Sequence, residues 1–161
     1  MFILKFLLNK VAEMRKDEMI GALENAKSLH MKQMNKIELE LAGKKVKDPT
    51  TLSKMECECG IWFYKNEAMM IKYLGLQLFE RLDRNHESWH KDYTNIYNVF
   101  FKEERKKGIL SKIIGSSELD KMKLDKAKYY YSELQRDTEE LLNASDSALR
   151  KVAAMSDAKF S

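Results

Sequence analysis

The 161-residue chain predicts an all-α fold, a four-helix bundle with long first, third and fourth helices and a short second helix that carries both cysteines. Three observations lead there. Breakers are scarce, with one proline and six glycines, which suits long helices better than a many-turned β fold. Apolar residues recur at spacings of three and four over long stretches, and no stretch alternates as a strand would. Charged residues make up 34% of the chain against 44% hydrophobic, the balance of a soluble globular domain with room for a core.

The first helix is expected from near Met1 to Leu41. Leu23, Ala26, His30, Met34, Ile37 and Leu41 form one stripe along it, and Gly43 follows as a stop. Lys44 to Thr51 reads as a polar loop, with Asp48-Pro49 a cap and first-turn proline. The short helix then runs from Leu52 to about Tyr64. A long helical pattern ends near Lys107, with Leu78, Leu82, His86, Trp89, Tyr93, Ile96 and Phe100 on one face. A turn is expected between Asn66 and Gly75, where the helix is weakest. Gly108 to Ser117 connects to the last helix, Glu118 to about Met155, with Ser117 as its N-cap. Ala127, Tyr130, Leu134, Leu141, Ala148, Val152 and Met155 keep near-heptad spacing there. The whole chain, 1–161, reads as one helical domain.

Net charge is +4, from 29 basic and 25 acidic residues that are mixed along the sequence. The densest basic stretches, Lys44 to Lys47 and Arg105 to Lys107, fall near expected helix ends, where a helix dipole favours cations. Without a basic face interleaved with aromatics, no nucleic-acid role is expected. Cys57 and Cys59 are too close for an ordinary structural disulfide and offer no secreted framework. Met1 to Leu8 is apolar but interrupted by Lys5, too short for a span and without a small-residue cleavage site. The expectation is a cytoplasmic protein without stable membrane insertion.

All three histidines fall on predicted apolar stripes. His86 and His90, four apart on one helix, present both imidazoles to one side, with Cβ atoms about 6 Å apart. Both rings can then reach one ion at about 2.0–2.1 Å. His30 faces them from the first helix, and Cys57 supplies a thiolate from the start of the short one. Residues two apart on a helix point about 200° apart, so only one of Cys57 and Cys59 is expected to face the metal if that segment is helical. Three nitrogens and one sulfur suit tetrahedral zinc.

These residues carry a resemblance. Cys57-Glu58-Cys59-Gly60-Ile61-Trp62 resembles the Cys-x-Leu-Gly-Lys-Trp signature of the chemoreceptor zinc-binding domain family. Phe79, Leu82, His86 and His90 resemble its third-helix motif, and His30 matches the histidine of its first helix. The resemblance covers about residues 20–107. It implies that His30, Cys57, His86 and His90 bind Zn2+, that Gly60 is a close-packing point and that Trp62 anchors the core. It further implies a homodimer, supported by the near-heptad last helix, and a sensory or regulatory role in bacterial signalling through a protein partner, with zinc or an oxidant as the signal. The sequence departs from the pattern at Gln33, Cys59 and Ile61, where the family has an aromatic, a leucine and a lysine.

Two other readings use the same residues. His86-Glu87-Ser88-Trp89-His90 fits the His-Glu-x-x-His motif of zinc metalloproteases, with Glu87 as general base and Glu103 or Glu104 as third ligand. Against it, no strand offers a peptide-binding edge, and His30 and Cys57 would leave no open position for water. A di-iron bundle needs more histidines or Glu-x-x-His pairs than the chain holds. A purely structural helical adaptor accounts for the helices but not for three histidines on core stripes.

Overall fold

The computed structural model describes residues 14–44, 46, 50–99 and 116–160. Among them it shows five α-helices, a terminal 3-10 turn and no strand. The helices are α1 Lys16–Leu41, α2 Glu58–Lys65, α3 Glu67–Leu74, α4 Leu76–Tyr97 and α5 Ser116–Ala153, and the turn is Asp157–Lys159. The all-helical expectation holds. The expected third helix is divided in two, and its continuation towards Lys107 lies outside the described residues, as do residues 1–13, Asp48, Pro49, Phe100, Glu103 and Glu104. No described helix is long and apolar enough to cross a membrane.

Helix ends follow local chemistry. Behind Leu41, Gly43 takes φ 75°. Lys44 N–H then reaches Leu39 O at 2.9 Å and Gly43 N–H reaches Glu40 O at 2.9 Å, the paired bonds of a Schellman stop. Gly75, at φ 79°, separates α3 from α4. A side chain is strained at that φ, so the chain turns there instead of continuing one helix. Lys151 of α5 donates to Leu74 O at 2.6 Å and covers the carbonyl end of α3.

The short helix starts six residues later than the sequence suggests, at Glu58 instead of Leu52. Ser53 is the reason. Its hydroxyl accepts from Met55 N at 3.2 Å, and its carbonyl accepts from Glu56 N and Cys57 N at 3.1 and 3.3 Å. The side-chain bond is the one that competes with a helix, and the carbonyl bonds close a single turn. Cys57 becomes the N-cap, at φ −72° and ψ 147°. Ser117, expected as an N-cap, lies inside α5.

α5, about 57 Å long at 1.5 Å per residue, packs most extensively on α4 and next on α1. The core forms two clusters. One joins Met19 and Leu23 of α1 to Phe63, Met70, Tyr73, Phe79 and Leu82, over Ala144, Ala148 and Val152 of α5. The other joins Met34 and Ile37 of α1, Trp89, Tyr93 and Ile96 of α4, and Leu134 and Leu141 of α5. α1 and α4 therefore run the same way and α5 runs against both. The histidines occupy the level between the clusters, because His30 separates Leu23 from Met34 and His86 separates Leu82 from Trp89. Phe63, buried and stacked on Phe79 with ring centroids 4.7 Å apart, anchors α2. Trp62, expected to do so, is only partly buried against that cluster.

Candidate metal centre

His30, His86 and His90 are each more than 95% buried, and one ring nitrogen from each lies within 4.8 Å of the others. These three side chains can hold a metal ion. The rings of His30 and His86 are 5.1 Å apart, those of His86 and His90 4.8 Å and those of His30 and His90 6.2 Å, with planes nearly perpendicular. Trp89 walls the group, its ring 4.9 Å from His30 and 5.1 Å from His90.

Backbone carbonyls orient two of the rings. His30 Nδ1 lies 2.8 Å from Ala26 O, one turn back on α1. His90 Nδ1 lies 3.2 Å from Leu52 O. A carbonyl only accepts, so in the neutral ring Nδ1 carries the proton and Nε2 keeps its lone pair. Metal-binding imidazoles are held in this way. Among the described residues His90 Nε2 is buried and has no hydrogen-bond partner. Leaving such an atom unpaired costs about 1–3 kcal/mol, and a cation at the centre of the cluster removes that cost. Burial pulls the His30 pKa down to about 4, so this ring is neutral, in its ligand form, across the physiological range.

Cys57 lies at the edge of the cluster, Sγ 3.1 Å from His86 Nε2. It is not one of the donors that lie mutually within 4.8 Å. A proton is shared between this sulfur and nitrogen, and a metal ion would take its place. The sulfur also caps α2 by accepting from Gly60 N at 3.1 Å, a position that favours the thiolate. Its pKa lies far below the usual thiol range. The neighbouring Cys59 is the main cause, and the His86 and His90 rings add to it, against the opposing effect of burial. Cys59 is pushed up by Cys57 and by burial.

The expected exclusion of Cys59 on helical geometry is corrected here. Cys57 has extended backbone outside the helix, so the 200° separation does not apply. A cleft of about 250 Å³ borders Cys57, Cys59, His30, His90 and Trp89.

Lys54 clamps the Cys57 turn onto α4. Its Nζ lies 2.9 Å from both Asp83 and Glu87 and 5.4 Å from the centre of the Tyr64 ring, while Tyr64 OH donates to Asp83 at 2.5 Å. Its carbonyl fills the space above Gly60: a Cβ there would sit 1.7 Å from Lys54 O. Gly60 is thus the close-packing point that the resemblance implies. Sequence reasoning missed Lys54 and Asp83. The available signal was the acidic pair Asp83 and Glu87, four apart beside the histidine pair. Glu87 itself is exposed and held by Lys54, and Glu103 and Glu104 lie outside the described residues.

No family model matches the chain, and neither a curated protein nor a solved structure matches it.

Proposed function

We propose that the chain binds one zinc ion through His30, Cys57, His86 and His90 and serves as a cytoplasmic sensory or regulatory module, not an enzyme. The three buried imidazoles, each with a ring nitrogen within 4.8 Å of the others, support this reading most strongly. Three nitrogens and a thiolate are a donor set that zinc accepts in tetrahedral geometry. Zinc, when bound, supplies a closed centre that cross-links α1, α4 and the Cys57 turn. The chain's own residues do the rest: Ala26 O and Leu52 O aim two rings, Gly60 N–H holds the thiolate, and Lys54 fixes the turn. With Cys57 as fourth donor no position remains for a hydrolytic water. Glu87, facing Lys54, is not placed to deprotonate one.

The ligands come from separate elements, so loss of one loosens their relative packing. Through that loosening, zinc or an oxidant would be reported to a partner protein, with a homodimer as the working assembly. The resemblance to chemoreceptor zinc-binding domains supports the same role. Metal analysis of the purified chain tests it. One zinc per chain is expected, with His86→Ala or His90→Ala losing most of it and Cys59→Ala keeping it. Retention in Cys57→Ala with loss in Cys59→Ala would overturn the ligand assignment.

A further inference from the structure

We propose that Cys57 and Cys59 form a reversible disulfide when a hydroperoxide enters the cleft beside them, with Cys57 the attacking sulfur and Cys59 the resolving one. This extends the regulation of the proposed centre. Only its consequence for zinc rests on the metal reading.

Three observations carry it. First, the two cysteines are neighbours at the start of α2. Cys57 is the N-cap of α2 and Cys59 lies in its first turn. Cα atoms two apart on that spiral are about 5.4 Å from each other, inside the disulfide range of about 4.4–6.8 Å. Second, both cysteines are free and only partly buried, and both border the cleft of about 250 Å³, which also borders Glu56 and Lys36. A small oxidant fits there. Third, Cys59 also borders a separate apolar void of about 30 Å³ next to Leu23, Phe63 and Leu82. That void gives the Cys59 side chain room to change rotamer.

The chemistry balances without a further reactant. The Cys57 thiolate attacks one peroxide oxygen, the O–O bond breaks, and hydroxide leaves. Cys57 is then a sulfenic acid, oxidised by two electrons while the peroxide is reduced. The Cys59 sulfur attacks the Cys57 sulfur and forms the S–S bond. The hydroxyl departs with the Cys59 proton as water, and hydroxide takes a proton from solvent to give the second water. Without a second thiol the sulfenic acid stays exposed to further oxidation, which is irreversible at the sulfinic stage. In the disulfide Cys57 is no longer a thiolate, so it leaves His86 and the metal.

Both cysteines lie in one tryptic peptide, Met55 to Lys65, which makes the test direct. The zinc-loaded chain and a metal-stripped portion are each treated with one equivalent of hydrogen peroxide, then digested and weighed. The expected peptide is lighter by two hydrogens in both samples and is restored by a phosphine reductant. In the loaded sample zinc appears with a chromogenic chelator in step with the disulfide. Cys59→Ser, with Cys59→Ala as a second variant in case one folds poorly, should instead gain one oxygen at Cys57 that a sulfenic-acid trap captures, and with a second equivalent of peroxide a second oxygen that resists the reductant. Oxygen added at Cys57 of the unaltered chain, or a disulfide joining two chains, overturns the proposal. If the purified chain holds no zinc, the metal reading fails by itself, while the peptide mass still decides the disulfide.

Discussion

The two core clusters on either side of the histidine level are built differently. Beyond it, Trp89, Tyr93, Ile96, Met34, Ile37 and Leu134 close a three-helix core with their own bulk. The Trp89 indole donates to Thr138 Oγ1 at 2.9 Å, and Trp89 stacks on Tyr93 with centroids 5.7 Å apart. Before it, the buried residues of α5 are the smaller Ala144, Ala148 and Val152, with Leu149 packed partly buried beside them, and the space is filled largely by short helices. Those helices are held by point contacts: Lys151 on Leu74 O, Lys54 on Asp83, and a 3-10 tail whose Phe160 stacks on Tyr73 at 4.2 Å. Both ends are packed, but the second is assembled from short helices that also depend on these attachments. The Cys57 turn belongs to the attached end, and the histidines lie at the junction. A metal at that level joins the part assembled from short helices to the three-helix part.

Removing the bulk should hurt most. Trp89→Ala deletes a fully buried indole and its hydrogen bond to Thr138, whose hydroxyl keeps its bond to Leu134 O, and is expected to cost about 3–5 kcal/mol. Chemical denaturation of metal-free and zinc-loaded samples should show a similar loss in both. A loss confined to the loaded form would show that the three-helix core is not self-supporting.

The junction should respond to pH in the metal-free chain. The pKa of His30 is about 4 in the folded state because burial disfavours its charge, against about 6.5 in an unfolded chain. Between these values the unfolded state binds the extra proton. Stability from this group is therefore complete above about pH 6.5 and is lost as pH falls towards 4, to a total of order 3 kcal/mol. His30→Gln should flatten that part of the stability profile. An unchanged slope would place the titration elsewhere.

The smallest of the three effects concerns the attached end. Gly60→Ala drives a methyl group into Lys54 O, a backbone atom that cannot swing aside, at a cost of about 1–3 kcal/mol. Moving that carbonyl also shifts Cys57, so zinc affinity should fall about 10–100-fold. Competition with a chelator of known affinity reads this out, and equal affinity would mean that the turn tolerates the shift.

How much of this is legible in the sequence follows the same division. The stripes of α1, α4 and α5, and with them His30, His86 and His90, are set by helical periodicity and burial, which a sequence displays directly. The attached end is harder to read. Leu52 has the pattern of a helix start, but Ser53 bonds its own neighbours and delays the helix to Glu58. The helical angle that sets Cys59 aside does not apply to an N-cap. Lys54 acts through its carbonyl and a three-way charge contact, and neither leaves a periodic trace.

The central claim is a tetrahedral centre with one thiolate, and cobalt(II) substitution tests it most directly. Titrating the metal-free chain with cobalt should give the intense visible bands of tetrahedral cobalt, saturating at one equivalent. A sulfur-to-metal band in the near ultraviolet should disappear in Cys57→Ser and persist in Cys59→Ser. A weak octahedral spectrum, or a sulfur band that survives without Cys57 and vanishes without Cys59, would contradict the account.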